Sequence, residues 1–252
     1  LTSVGANRIV VCFESEKADE YEAQFKRIAF DNYPRHLLGA VPMLFASELA
    51  DDVSTERRGW TAMINSFLHP AMENFLYNAE NRLREYRTKN PLLIFRNDGD
   101  ASRVAKTIAV KTYSSGPRGG MEGVKTFSKQ YNLSNVLSMD VGGTTTDIGH
   151  VIDHSVHEQR RGTVEGVPIS FGLSAIASPG VGGSSILAVK NGAIQVGPES
   201  VGAVPGPACF GRGGKNATIT DVNLLLGLLD PSTFFGGGLA LDLERARTAI
   251  AE

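Results

Sequence analysis

Residues 138–151, "SMDVGGTTTDIGHV", set two carboxylates, Asp140 and Asp147, on either side of two glycines and three threonines. Each residue type in this run has a chemical use. Gly142 and Gly143 have no Cβ, so the backbone there can approach a ligand closely. Successive N–H groups in such a loop form a concave donor surface for an anion. Thr144, Thr145 and Thr146 add hydroxyl donors. Hydrogen bonds to a charged group contribute about 1.5–3 kcal/mol each, so three or four give useful affinity without a basic residue. The aspartates repel a bare phosphate. They suit a site in which Mg2+ stands between them and the phosphates, held largely through its own waters. The chemistry read here is that of a metal–nucleotide site, with Asp140 and Asp147 as the metal-binding and catalytic candidates. A purely structural turn needs one or two such residues rather than a run of them.

The loop needs elements to hold it. "NVLSMD" before it and "DIGHVID" after it both read as strands, and about six residues between them are too few for a crossover helix, which predicts an antiparallel hairpin. A P-loop differs: it leads from strand to helix and ends in Gly-Lys-Ser/Thr, whereas this loop has no lysine.

Upstream, "RIVVCFE" reads as a buried strand, followed by a helix with Tyr21, Phe25, Ile28 and Ala29 at helical spacing, then "VPMLFAS" as a second strand. A helix is expected from near Ser54, with Pro70 ending it and opening another. That second helix, to about Arg87, puts Phe75, Leu76, Ala79, Leu83 and Tyr86 on one face, read as core packing. Asn90-Pro91 stops it, and "LLIFRN" reads as a strand. From Val104 glycine clusters recur and helices become scarce, so the clusters are where chemistry is sought. This divides the chain into expected domains 1–113 and 114–252.

Other candidates read as structural. His150, His154 and His157 with Asp153 read as a polar turn rather than a metal set, because His150 and His154 would share a face but lie about 13 Å apart on an extended strand. Cys209 is expected to be a structural or substrate-adjacent thiol, a nucleophile being the alternative. Arg212 and Lys215 read as solvated loop charge, with contact to phosphate or carboxylate the alternative, and Asp221 as the cap of a helix over "VNLLLGLL", with a role at the cleft secondary.

The 252 residues, 42% hydrophobic, suffice for one large or two smaller cores. With 25 basic against 27 acidic residues, no bulk charge draws the chain to nucleic acid or an anionic membrane. No apolar run approaches the ~20 residues of a membrane span. The first residues lack a signal peptide's basic start and long apolar stretch. Two cysteines are too few for a disulfide framework, and the cytoplasm is the expected compartment.

"DVGGTTTDIG" resembles the second phosphate loop of the actin, sugar-kinase and Hsp70 ATPase superfamily. "SSGPRGGMEGV" (114–124), "PGVGGSSI" (179–186), "VGPESVGAVPGPACFGRGG" (196–214) and "TITDVNLLLGLLDPSTFFGG" (218–237) resemble, in order, the hydantoinase A family. That family includes ATP-dependent hydantoinases, 5-oxoprolinase and ketone carboxylase subunits. The resemblance implies an α/β fold: a ribonuclease H-like lobe from about residue 114, and part of a second lobe before it. It puts the phosphate loop on Asp140, Gly142, Gly143, Thr144, Thr145, Thr146 and Asp147. It puts an adenosine-facing turn on Gly180, Gly182, Gly183, Ser184 and Ser185, with Ser184 narrowing the turn where relatives carry glycine. ATP and Mg2+ are the implied cofactors.

The implied role is a component of an ATP-dependent cyclic-amide hydrolase that activates a carbonyl by phosphorylation. Alternatives are a ketone carboxylase subunit, a non-catalytic nucleotide-sensing module, or a small-molecule kinase. Implied partners are a small cyclic amide or ketone, the remaining lobe, and a hydantoinase B-type subunit. The superfamily's first lobe opens with its own Asp-Gly-Gly-Thr loop, which no residue before Ser138 supplies. The chain is therefore expected to be the middle of a longer protein, and alone to bind ATP weakly without hydrolase activity.

Overall fold

A computed structural model describes residues 5–252, which divide into two compact units: one of residues 5–123 with 156–175, the other of 124–155 with 176–252. Leu1–Val4, the start of the stretch read for leader features, lies outside the described residues.

The first unit opens with β1 (Ile9–Val11), α1 (Ala18–Asn32) and β2 (Met43–Phe45), whose strands pair in parallel. Parallel pairing needs a crossover, and α1 supplies it. Both strands and the helix fall where the sequence reading puts them, but β1 is half-buried throughout and not the buried strand expected. On α1, however, Tyr21, Phe25 and Ile28 are 42–51% exposed, while Glu22 is buried. The Glu22 carboxylate accepts from the Phe13 amide (3.2 Å), the Ser47 amide (2.8 Å) and the Ser47 hydroxyl (2.7 Å). It ties together the segments that leave the two strands.

A one-turn α2 (Ala46–Leu49) leads to α3 (Thr55–Glu85). Ser54 caps α3 as its position predicts, accepting from the Arg57 amide at 3.3 Å. Pro70 does not end it: one helix runs through. An interior proline costs about 3 kcal/mol or more. The helix tolerates that loss because its first half is anchored through buried Arg58, Thr61, Ala62 and Asn65. The expected aromatic core stripe is also overturned. Leu76 is buried, but Phe75 is 66% and Tyr86 73% exposed.

The hairpin β3 (Leu93–Phe95) and β4 (Ala101–Arg103) follows, then α4 (Ser115–Gln130). This 16-residue helix corrects the expectation that helices become scarce after Val104, and it begins within the glycine-rich "SSGPRGG". Arg118 from that motif is buried, ion-paired to Glu122 at 2.8 Å and to Glu158, and donates to Ser174 Oγ at 3.0 Å.

In the second unit, β5 (Asn135–Val141) and β6 (Thr146–Ile152) form the expected antiparallel hairpin. β7 (Ser155–Val156) adds to β6 after a turn in which Asp153 and His154 take left-handed backbone angles. Residues 156–175 return to the first unit as the short pairs β8 (Glu158–Gln159) with β11 (Leu173–Ser174), and β9 (Thr163–Val164) with β10 (Val167–Pro168). Their anchors are Ser170 N to Thr61 Oγ1 (2.9 Å) and Arg161 to Asp52 (3.2 Å).

β12 (Ile176–Ala177) completes the sheet in the order β12–β6–β5. β13 (Ser185–Lys190) and β14 (Ala193–Ser200) form a hairpin across Asn191-Gly192, both at positive φ as a tight two-residue turn requires. α5 (Ile219–Leu225) and α6 (Leu243–Ala251) enclose a core of Cys209, Leu224, Leu241 and Ala246. No helix among the described residues is long and apolar enough to cross a membrane.

Candidate functional site

The hairpin register places Asp140 directly opposite Asp147, and Val141 opposite Thr146. Residues opposed across an antiparallel ladder project from the same face, with Cα atoms about 4.5–5.5 Å apart. The two carboxylates therefore share one face beside the loop. Like charges so placed destabilise a hairpin, and a bound cation removes the conflict. Asp147 is held by the Ser178 hydroxyl, which donates to its Oδ1; Asp140 is exposed.

Between them, Gly142–Thr145 is exposed and closed by a hydrogen bond from Gly142 N to Thr145 O (2.9 Å). The turn at residues 180–185 grips this loop by its carbonyls. Gly183 N donates to Gly142 O at 2.9 Å and Ser184 N to Gly143 O at 2.6 Å, with the Ser184 hydroxyl on the same Gly143 oxygen at 2.5 Å. A trans peptide points its N–H opposite to its C=O. With the Gly142 and Gly143 carbonyls turned to the 180–185 segment, the amides of Gly143 and Thr144 point away from it. Neither these amides nor that of Thr145 donates a hydrogen bond among the described residues, and the Thr144 and Thr145 hydroxyls are also unpartnered there. Five donors are thus presented by an exposed, braced loop. That donor set fits a phosphate chain, and two carboxylates alone fit a largely hydrated Mg2+.

Thr146 departs from the sequence reading. Its side chain is buried, and its hydroxyl donates to Val181 O at 2.6 Å. It ties the hairpin to the later turn and has no proton left for a phosphate. The turn residues likewise act as a brace. Gly182 N donates to Ser185 Oγ (2.8 Å), and Ser185 is buried. A Cβ on Gly182 would lie 2.7 Å from both Gly142 O and Gly143 C, so only glycine fits there. Ser184, expected to narrow the turn, links Gly143 O to Ser200 Oγ (2.8 Å). Gly180 packs against Pro198, where a Cβ would come to 3.3 Å.

The brace continues into α5. Thr220 donates to Gly183 O through both its amide (2.8 Å) and its hydroxyl (2.7 Å). Asp221 does cap α5, though as the third residue of a capping box begun by Thr218, so the helix starts three residues earlier than expected. Fully buried, its carboxylate accepts from Cys209 N (2.7 Å), Thr218 N (2.9 Å), Thr218 Oγ1 (2.7 Å) and Ala208 N (3.3 Å). Burial, with the neighbouring Asp221 carboxylate, pushes the Cys209 thiol from 9.0 up to about 12. A thiol so held is no nucleophile, and Cys209 is a core residue. His154 meets Ser128 Oγ through Nδ1 at 2.7 Å, and no metal-ligand cluster of three or more residues occurs among the described residues.

Sequence reasoning missed Ser178, Ser200 and Thr220. No local signal marks them, because each reaches its partner from a distant part of the chain.

An α/β chain with a paired-carboxylate glycine–threonine hairpin braced by a second glycine turn is the class that fold and site define. The chain belongs to the hydantoinase/oxoprolinase family, whose profile matches residues 58–252. It is 30% identical over 252 residues to the acetophenone carboxylase gamma subunit of Aromatoleum aromaticum, covering 98% of this chain and 34% of that one. Its fold matches the nucleotide-free structure of an acetone carboxylase described as ATP-dependent, with TM-score 0.82, 25% identity, and coverage of 99% of this chain and 36% of that one. It also matches the ATP-dependent caprolactamase of Pseudomonas jessenii, with TM-score 0.73, 25% identity, and coverage of 100% and 36%. The chain spans about a third of the length of these relatives.

Proposed function

We propose that this chain carries the phosphate-binding half of a Mg–ATP site in an enzyme that activates a carbonyl by phosphorylation, a cyclic-amide hydrolase of the hydantoinase/oxoprolinase type. One observation carries the reading: the unpartnered Gly143, Thr144 and Thr145 amides stand beside cross-strand Asp140 and Asp147. In this reading β5, β6, β12 and the elements around them belong to a ribonuclease H-like lobe within residues 114–252, and residues 1–113 belong to a second lobe. The remaining lobe and a hydantoinase B-type subunit complete the active site in the cytoplasm.

Mg2+ supplies charge neutralisation to the transferring phosphoryl group. The rest falls to the chain. The three loop amides and two threonine hydroxyls hold the phosphate oxygens, preorganised because the 180–185 turn fixes the carbonyls behind them. Asp140 and Asp147 hold the hydrated cation, and Asp147 keeps its rotamer through Ser178. An unstrained lactam carbonyl is a poor electrophile. In this reading the γ-phosphoryl group would pass to the carbonyl oxygen as ADP leaves. Water would add to the activated carbon, and the ring C–N bond would break with the nitrogen leaving as the amine. A second water would hydrolyse the resulting acyl phosphate to carboxylate and phosphate. Gly180 through Ser185 act as a brace.

A second reading, ATP-dependent activation of a ketone for carboxylation, is favoured by the 30% identity to the acetophenone carboxylase subunit. Product analysis on the full-length protein with its partner subunit distinguishes them. With Mg·ATP, hydantoin or 5-oxoproline yields a ring-opened acid on the first reading. Acetone or acetophenone with bicarbonate yields a carboxylated product on the second. A stable phosphorylated product, or no ATP turnover with any of these, contradicts both.

A further inference from the structure

The β1–α1–β2 motif of the first unit is an unfinished piece of α/β structure. β1 and β2 pair in parallel, and neither pairs with another strand among the described residues. Parallel sheets occur where both faces are covered and each neighbour arrives by a crossover. Here Ile9, Val10 and Val11 are only half-buried, although all three are β-branched apolar residues suited to a covered strand. Ile9 N donates to Pro42 O at 2.9 Å. Alternation along the strand therefore turns the Val10 N–H to the other edge, where no strand meets it among the described residues.

The crossover helix is open as well. The buried positions of α1 are Ala18, Glu22 and Ala29, two small side chains and one carboxylate. Its large apolar residues lie off that face: Tyr21, Phe25 and Ile28 follow one another at three- and four-residue spacing and stay exposed. Phe13, two residues after β1, joins this stripe, with its ring centroid 6.2 Å from Tyr21 and 6.1 Å from Phe25. A surface helix of a finished fold turns its apolar stripe to the core. α1 instead holds a packed aromatic cluster open to solvent at the end of a strand whose outer edge is unpaired.

We propose that this surface is an intramolecular interface: a further strand–helix unit of the same, longer polypeptide lays its strand parallel along the free edge of β1 and packs apolar side chains over Phe13, Tyr21 and Phe25. Length and direction select this occupant. The matched carboxylase subunit and solved structures align with 98–100% of this chain, which spans only 34–36% of theirs, so most of such a polypeptide remains to supply the unit. Direction excludes a second copy. A crossover within one polypeptide delivers a parallel strand, whereas a copy meeting β1 edge to edge across a two-fold axis pairs antiparallel. None of these residues belongs to the β5–β6 loop, so the interface stands apart from the nucleotide reading.

The test uses the full-length protein, without nucleotide or partner subunit. Amide hydrogen exchange is read at Val10 in the wild type, and maleimide labelling is compared between Phe25→Cys and Ala23→Cys, an exposed position on the opposite side of α1. The Val10 amide is expected to exchange at least ~100-fold more slowly than an unstructured amide. Native Phe25→Cys is expected to label at least ~10-fold more slowly than Ala23→Cys, and at the same rate in urea. Both protections are expected to survive dilution. Should Phe25→Cys disturb the fold, the wild-type Val10 amide decides alone. Fast exchange at Val10, or equal labelling of the two thiols in folded protein, overturns the proposal. So does protection that appears only at high protein concentration or on adding the partner subunit, because the cover would then be a second copy or another chain.

Discussion

Asp140 and Asp147 are cross-strand partners, opposite one another in the β5–β6 ladder and one step from the loop that joins the strands. Seven residues apart in sequence, they are neighbours in space because the hairpin turns between them. The pairing creates a local charge conflict in the free protein, which a bound cation would relieve.

Asp140→Asn and Asp147→Asn are each expected to lower Mg-dependent ATP turnover of the full-length protein at least tenfold, about 1.4 kcal/mol of transition-state stabilisation. In Mg-free buffer the same variants are expected to melt at or above the wild-type temperature, because each removes one of two opposed charges. Wild-type turnover, or a lower melting point without Mg2+, contradicts the metal role.

Gly143 borders open space and Gly182 borders packed backbone. A Cβ on Gly143 meets only Ser184 Oγ, at 3.9 Å, whereas one on Gly182 would strike Gly142 O at 2.7 Å. Gly143→Val is expected to keep the melting temperature and abolish its rise with Mg·ATP. Gly182→Ala is expected to destabilise by about 1–3 kcal/mol through overpacking. Denaturant melts of both variants, with and without Mg·ATP, check this; an ATP-stabilised Gly143→Val protein contradicts it.

Asp221 holds four donors and has no ion-pair partner among the described residues. Asp221→Ala strands the Cys209 and Thr218 amides in the core and is expected to cost about 3 kcal/mol or more, measured by urea unfolding. On the proposed reading, the Gly142–Thr145 loop is expected to lose its response to ATP in the same variant, since Thr220 and Gly183 transmit the brace.

Cys209 gives a pH signature. Between the unfolded thiol's pKa near 9.0 and the folded value of about 12, the native state keeps a proton that the unfolded chain has lost. Its contribution is therefore full below pH 9 and declines as pH rises toward 12. Cys209→Ala is expected to flatten the alkaline arm of the stability–pH curve. Native Cys209 is expected to resist iodoacetamide at pH 8; rapid labelling in the folded protein contradicts its burial.

Much of this site was legible because it is local. The length of the segment between "SMD" and "DIG" dictated a hairpin, and the hairpin dictates the aspartate pair. The same period of two also predicts that Thr146, one position from Asp147, faces the opposite side of the sheet, a signal not taken from the threonine run. Asn191-Gly192 is an equally readable turn mark, and it fixes the β13–β14 hairpin. The brace was not legible. Gly182 against Gly142, Thr220 on Gly183 and Ser178 on Asp147 are contacts between segments about 30 to 40 residues apart, which no local pattern encodes. Pro70 misled for another reason: its local cost is real, but the buried contacts of Arg58, Thr61 and Asn65 outweigh it.

The most direct measurement is residue-resolved amide hydrogen exchange on the full-length protein, with and without Mg·ATP. The amides of Gly143, Thr144 and Thr145, unpartnered within the described chain, are expected to slow at least ~10-fold on binding, while Gly183 and Ser184, already bonded to the loop carbonyls, change little. Equal exchange at Gly143, Thr144 and Thr145 in both conditions, with Mg·ATP shown to be bound, would contradict the assignment of this loop to the phosphates.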